Sequence, residues 1–92
     1  MVWETTDPDG RVVILTDERW EHVVAVHPDL DVQPQVLVNA VARPSARTPG
    51  RLPNQEWFYR RGFGPNAWMR VVVHYEGGRG FIVTAFPRRF FP

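Results

Sequence analysis

The chain has no cysteine, no lysine and no long apolar run. Without thiols it can form neither a disulfide framework nor a thiolate metal site, and such a chain suits the reducing cytoplasm. No apolar stretch approaches the roughly 20 residues that cross a bilayer. Residues 1–4 also lack the basic and apolar regions of a secretory signal peptide. We therefore expect a cytoplasmic protein with no membrane partner.

All of the basic side chains are arginines, and most of them lie in the second half of the chain. Residues 1–42 hold two arginines and eight acids, a formal charge of −6, whereas residues 43–92 hold nine arginines and two acids, a formal charge of +7. Guanidinium groups bind phosphate bidentately, so RNA is the leading candidate partner. The alternative is that the two halves fold against each other and cancel their charges through surface pairs.

The length and composition predict one folded domain over residues 1–92. A chain of 92 residues can bury a single modest core. Its 43% hydrophobic and 13% aromatic content argues against disorder, while nine prolines and seven glycines require many turns and short elements.

Turn signals and hydrophobic periodicity divide this domain into seven elements. The predicted strands cover residues 2–6, 11–15, 56–61, 68–75 and 80–86, the predicted helices cover about 17–27 and 34–43, and turns are predicted at 7–10, 62–66 and 76–79. Thr16 is the expected N-cap of the first helix, and Pro34 the expected first-turn residue of the second. Residues 43–54, with three prolines and three arginines, are predicted to form an irregular exposed loop.

This order predicts an α+β fold, β-β-α-α-β-β-β, with two N-terminal helices packed on one face of an antiparallel sheet. The last three strands are expected to form a meander. The opposite face of the sheet is left available for a site.

Strand alternation predicts which side chains lie on that opposite face. Arg70 and His74 alternate with the apolar residues of their strand, so they should face away from the core. On the last strand the expected core residues are Phe81, Val83 and Ala85, and those expected opposite are Ile82, Thr84 and Phe86. Such a face would combine an arginine to hold a phosphodiester, a histidine to transfer protons and a threonine to position the phosphate.

Several strings resemble a known family in their order and spacing. They are Asp9-Gly10 before Val12-Val13-Ile14-Leu15-Thr16, then His22-Val23-Val24-Ala25-Val26-His27-Pro28, Arg43-Pro44, Trp57-Phe58-Tyr59-Arg60 and Val83-Thr84-Ala85-Phe86. Over nearly its whole length the chain resembles the small ribonucleases of the barnase, EndoU, colicin and RelE-like (BECR) superfamily, in particular the phage-associated and toxin branches. The resemblance implies a ribonuclease in which a histidine of the first helix meets basic and hydroxyl residues of the sheet.

The candidate catalytic residues are His22, His27, Arg70 and Thr84, and the candidate substrate-binding residues are Arg43, Arg47, Arg60 and His74. Either helix histidine would serve as general base or acid. Arg70 would stabilise the developing negative charge, and Thr84 would orient the phosphate. Structural roles stay open beside these: His27 as a capping or core histidine, and His74 and the arginines as solvated surface residues.

No metal and no cofactor is expected. His22 and His27 are five residues apart, about 140° around an ideal helix, whereas two metal ligands on one helix face normally stand four apart. The sequence supplies neither a thiolate nor an HExxH string as further ligands.

The sequence therefore predicts a metal-independent endoribonuclease of toxin type. It would cleave RNA by attack of the 2′-hydroxyl on the adjacent phosphate, leaving a cyclic phosphate and a free 5′-hydroxyl, and the resemblance implies a cognate antitoxin or immunity protein. One alternative is a non-catalytic module that binds RNA or a protein, with Trp57, Tyr59, Trp68, Phe86, Phe90 and Phe91 as stacking residues. Another is a regulator that has kept a nuclease fold without its activity, because Phe86 stands where relatives tend to carry tyrosine.

Overall fold

The computed structural model describes residues 2–62 and 67–90. The elements are β1 (Val2–Thr6), β2 (Val12–Thr16), α1 (Asp17–Val26), α2 (Pro34–Ala42), β3 (Ala46–Pro49), β4 (Gln55–Arg61), β5 (Trp68–Glu76) and β6 (Arg79–Arg88). The strands form one sheet in the order β1-β2-β6-β5-β4-β3. The α+β class, the two helices and the β4-β5-β6 meander are confirmed.

The N-terminal half folds as its turn and cap residues predict. β1 and β2 pair antiparallel, and the turn between them contains Gly10 at φ 88°. Thr16 Oγ1 accepts a hydrogen bond from the amide of Arg19 at 3.2 Å, which is the N-cap interaction. His27 is the C-cap residue, because the following proline disfavours a helical conformation there. Pro34 opens α2.

Two parts of the predicted topology are wrong. Residues 46–49 form a sixth strand rather than loop, with Ala46 opposite Tyr59 and Pro49 opposite Glu56 on β4. A proline is tolerated there because β3 is an edge strand. The order is therefore β-β-α-α-β-β-β-β, with the helices in the middle of the chain rather than N-terminal. The sheet is also mixed, since β2 pairs parallel with β6.

The hydrophobic core lies between the helices and one face of the sheet. The buried residues that form it are Val13, Leu15, Val23, Leu30, Leu37, Val38, Ala40, Val41, Phe58, Met69, Val71, Val73, Tyr75, Ile82 and Ala85. Arg70 and His74 alternate with the core residues of β5, as predicted. We call the face of the sheet that carries Arg70 the open face, and the face that carries the core the helix face.

A β-bulge corrects the prediction for β6. Val72 pairs with Thr84 whereas Val73 pairs with Ile82, so Val83 is an extra residue on β6. Ile82 is consequently fully buried in the core, although alternation alone placed it on the open face. The predicted core positions of Phe81 and Val83 are wrong for the same reason, while Ala85 is in the core as expected.

A network of charged side chains fastens the β1-β2 turn to the sheet. Asp7 is buried and accepts hydrogen bonds from Tyr75 Oη at 2.7 Å and Arg11 Nε at 2.9 Å. Arg11 lies over the Tyr75 ring and pairs with Glu56, which also binds Arg47. Because this network is on the helix face, its arginine side chains face away from Arg70.

The helix α1 packs against β6. Its C-cap residue His27 contacts Phe86 of β6, which pairs with Arg70. One side of α1 therefore borders the open face. In the described part of the chain, neither helix has the length and apolarity needed to cross a membrane.

Candidate nucleic-acid interface

The open face contains a buried arginine in the middle of β5. Strand pairing sets Arg70 directly between Tyr59 of β4 and Phe86 of β6. The residue is 7% exposed, and its Nε donates a hydrogen bond to Tyr59 Oη at 3.0 Å. Its Cζ lies 3.9 Å from the ring centre of Trp57 and 5.4 Å from that of Phe86. These three aromatic residues form what we call the aromatic cage of Arg70.

In the described part of the chain, no acid neutralises this guanidinium. Among residues 2–62 and 67–90, no carboxylate forms an ion pair with Arg70. Burial lowers its pKa below the usual value, the hydrogen bond to Tyr59 partly opposes this, and the nearby Arg88 lowers the pKa further. A buried cation without a counterion is unfavourable. A bound anion would therefore be stabilised here.

The next row of the open face adds two arginines and a tryptophan. Trp68 stands opposite Arg61 on one side and Arg88 on the other. The Cζ of Arg61 lies 4.8 Å from the ring centre of Trp68, and the ring of Trp68 packs edge-on against Tyr59 at 6.4 Å. Arginines interleaved with aromatic rings are typical of surfaces that bind single-stranded nucleic acid.

The two histidines of α1 differ in what they contact. His27 is half-buried, and its ring lies 5.3 Å from that of Phe86, so it contacts the aromatic cage of Arg70. His22 is exposed. It follows Glu18 by one helical turn and lies about 140° around the helix from His27. The structure brings His27, but not His22, into contact with the cage.

Thr84 lies on the open face as predicted, in the row beside Arg70. It pairs with Val72, which in turn pairs with Trp57. Thr84 Oγ1 is buried and has no hydrogen-bond partner among the described residues. The hydroxyl is close to the cage but covered by its neighbours.

His74 lies at the other end of the open face, four residues from Arg70 and therefore roughly 13 Å along the strand. Asn54 Nδ2 donates to the backbone oxygen of Tyr75 at 3.0 Å and lies 3.2 Å from His74 Nε2. His74 Nε2 is therefore placed to accept a hydrogen bond from that amide. His74 lines a groove of about 590 Å³ together with residues of β2, β6 and the start of α1.

The three arginines predicted to bind substrate are not on the open face. Arg47 stands opposite the core residue Phe58 and is paired with Asp9 at 2.6 Å. Arg60 donates to the backbone oxygen of Arg43 at 2.6 Å beside the end of α2. Arg43, Arg47 and Arg60 therefore lie on the helix face or its edge, and no contact joins them to Arg70.

Sequence reasoning missed the partners of Arg70. The sequence predicts Trp57 and Tyr59 only as stacking residues of a binding module, and it assigns no role to Arg88. The spacing of these residues could have predicted their grouping. Trp57, Tyr59 and Arg61 are each two residues apart on one strand, so their side chains share a face. The predicted turn at 62–66, apart from Gly62, and the predicted stacking residue Phe91 lie outside the described residues.

In the two described segments, no three His, Cys, Asp or Glu residues are grouped so that they could hold a metal ion. Comparison with models of known protein families, with curated proteins and with solved structures found no match for this chain. The resemblance to the BECR ribonucleases therefore stays a prediction.

Proposed function

We propose that this protein is a metal-independent endoribonuclease of toxin type, similar to the BECR ribonucleases. The observation that supports the proposal is the buried Arg70, which lies among Trp57, Tyr59 and Phe86 and has no carboxylate partner in the described chain. A phosphodiester would supply the missing negative charge, and adjoining bases would find aromatic rings on which to stack.

The proposed reaction forms one bond and breaks one. The 2′-oxygen attacks the adjacent phosphorus while a base takes the hydroxyl proton, and the bond from phosphorus to the 5′-oxygen breaks as an acid protonates that oxygen. His27, which contacts the cage, is assigned as general base or acid, and His22 is the alternative on the same helix. Arg70 stabilises the charge that develops on the phosphate.

Thr84 takes part in the proposed reaction only if its hydroxyl becomes exposed. Its hydroxyl lies in the row next to Arg70 but is buried. It contacts the phosphate only after its neighbours move to expose it. A cognate antitoxin or immunity protein that covers the open face belongs to the same proposal, because an unrestrained ribonuclease in the cytoplasm would damage its own cell.

The test is incubation of the purified protein with total RNA in EDTA, followed by gel separation and analysis of the end groups. We expect discrete cuts that carry cyclic phosphates, lost in His27→Ala and reduced in His22→Ala. Arg70→Met, purified in parallel, excludes a contaminating nuclease if it is inactive. If purified RNA stays intact, the assay is repeated with translating ribosomes. Intact RNA in both assays would refute the enzyme assignment.

A non-catalytic RNA-binding module is the second candidate, and the row of Arg61, Trp68 and Arg88 favours it. Its arginines would bind phosphates and its tryptophan would stack on a base, but the row provides no group that transfers protons near neutral pH. For such a module we expect salt-dependent binding of single-stranded RNA without any product. Binding that survives His27→Ala and His22→Ala, with no cuts in any variant, would identify the module.

A further inference from the structure

One ring of the aromatic cage covers the guanidinium of Arg70 more closely than the others. Trp57 stands opposite Val72 on β5, and its indole reaches across to the next row of the sheet, with its ring centre 3.9 Å from Arg70 Cζ. The ring centres of Tyr59 and Phe86 are farther away, at 5.2 and 5.4 Å. Arg70 is only 7% exposed. A phosphate can therefore reach this guanidinium only after a covering ring has moved.

The side chain of Gln55 holds the indole of Trp57 in place. Gln55 lies two residues before Trp57 on β4, so both side chains are on the open face. Its Oε1 accepts hydrogen bonds from Trp57 Nε1 at 3.1 Å and from the backbone amide of Arg51 at 3.2 Å. The side chain also packs on Gly50, where an added Cβ would lie 2.8 Å from three Gln55 atoms. The turn between β3 and β4 thus fixes the indole from outside the core.

Two buried hydroxyls belong to the same row of the sheet as Trp57. Thr48 pairs with Trp57, Trp57 with Val72, and Val72 with Thr84. In the described part of the chain, Thr48 Oγ1 and Thr84 Oγ1 are the buried side-chain polar atoms that have no hydrogen-bond partner. A buried hydroxyl without a partner is unfavourable. This row would therefore be better satisfied if it were open to a ligand.

We propose that Trp57 is a lid over the anion site and that Gln55 is the latch that keeps the lid closed. The inference rests on the proposed function, because it describes how RNA is admitted to Arg70. In the closed state, the cation–π contact with the indole takes the place of an anion. In the open state, the guanidinium binds a phosphate and the displaced indole offers a face on which a base stacks. Because only the open fraction binds, the latch lowers the apparent affinity for RNA.

The test releases the latch without changing the lid or the anion site. Gln55→Met keeps a side chain of similar length but provides no amide oxygen for the indole N–H. Binding of a short 2′-O-methyl oligoribonucleotide, which lacks the attacking hydroxyl, is measured by fluorescence anisotropy. We expect Gln55→Met to bind it about fivefold more tightly than wild type, which corresponds to one net hydrogen bond. Gln35→Met, the same change at an exposed position of α2, is the matched control and should bind as wild type does.

A second variant releases the latch from its other side. Gly50→Ala places a methyl group where the Gln55 side chain lies, and Gly50 does not have the positive φ that only glycine adopts readily. It should also bind the oligonucleotide more tightly, and it tests the lid even if Gln55→Met does not fold. In both variants, hydrogen exchange of the Trp57 indole N–H, measured by NMR and assigned with Trp57→Phe, should be faster than in wild type.

The lid and the proposed function fail in different ways. If Gln55→Met and Gly50→Ala bind no more tightly than wild type while Arg70→Met binds more weakly, the anion site stands and the lid is refuted. If the Trp57 indole N–H exchanges at the wild-type rate in both variants, Gln55 is refuted as the latch. If neither wild type nor any variant binds the oligonucleotide, the proposed function fails and the lid fails with it.

Discussion

At the scale of single residues, we expect Arg70 to be a charge that folding does not require. It is buried among aromatic rings, and no carboxylate of the described chain pairs with it. Replacing a buried ion by an apolar side chain of similar length is often neutral or stabilising. We expect Arg70→Met to leave the free energy of unfolding, measured in urea, within about 1 kcal/mol of wild type or to raise it. Binding of single-stranded RNA should weaken roughly tenfold to a hundredfold.

Arg43→Met is the matched control for this prediction, because Arg43 is exposed beside the end of α2. It should change neither quantity appreciably. A loss of several kcal/mol of stability in Arg70→Met would show that the arginine is structural, and would remove the main support for an anion site.

Asp7, in contrast to Arg70, is a buried charge that we expect to stabilise the fold. Its side chain is fully buried. Burial alone would raise its pKa, but the hydrogen bond from Tyr75 and those from the Arg11 and Asp9 amides, with the charge of Arg11, hold the pKa below its usual 3.8. The folded pKa is thus lower than the unfolded one, so Asp7 stabilises the protein above the unfolded pKa. That stabilisation is lost as the pH falls through the folded pKa.

We therefore expect Asp7→Asn to be less stable than wild type by about 2 kcal/mol at neutral pH. The difference in the free energy of unfolding should shrink below about pH 4. Wild type then loses the stabilisation from the Asp7 charge, which the variant lacks at every pH. Urea unfolding from about pH 2 to about pH 7 measures both free energies. A difference that is constant across this range would contradict the role of the Asp7 charge.

At the scale of elements, α1 depends on its N-cap. Thr16 Oγ1 accepts the amide of Arg19, and Asp17 and Glu18 add negative charge to the first turn. Thr16→Ala should lower the free energy of unfolding by about 1 kcal/mol, whereas Thr16→Ser should retain most of it. Thermal and urea unfolding of the two variants provide the measurement. Equal losses in both would point to the threonine methyl group rather than to the cap.

Elements with strong local signals were predictable from the sequence, and those that depend on partners were not. The turn at 7–10, the cap at Thr16 and the proline at 34 each set local dihedrals, so the first two strands and both helices lie close to their predicted places. β3 has no such signal. Residues 46–49 are extended because they pair with β4, and their prolines and arginines indicate a loop when read alone.

In the candidate site, too, the positions that depend on local sequence were predictable, and those that depend on strand pairing were not. Alternation along β5 places Arg70 and His74 correctly, because the period of a strand is local information. The bulge at Val83 is a property of two paired strands, so the positions of Phe81 and Ile82 could not be obtained from β6 alone. Arg47 of the predicted loop lies on the helix face because β3 pairs with β4, which the sequence did not reveal.

At the scale of the whole molecule, the arginines of the two faces differ in their carboxylate partners. On the helix face, Arg11 and Arg47 form ion pairs with Asp7, Asp9 and Glu56. There the basic and acidic side chains neutralise each other, as the alternative reading of the sequence predicts. On the open face, Arg70 has no carboxylate partner in the described chain and Arg88 lies close enough to lower its pKa. We therefore expect a polyanion to bind to the open face at Arg70.

Arg60 and Arg61 test this conclusion directly, because they are neighbours in sequence on opposite faces of β4. Arg61 stacks on Trp68 on the open face, whereas Arg60 binds the backbone of Arg43 beside α2. Each phosphate neutralised on a single strand contributes about −0.7 to the slope of log K against log salt concentration. Arg61→Ala should therefore reduce the slope for a single-stranded oligonucleotide by about 0.7, and Arg60→Ala should leave it unchanged. Titrations at several salt concentrations, with the melting temperature of each variant as a check on folding, measure the slopes. Equal reductions in both variants would mean that the oligonucleotide binds to both faces alike. That result would refute the open face as the interface.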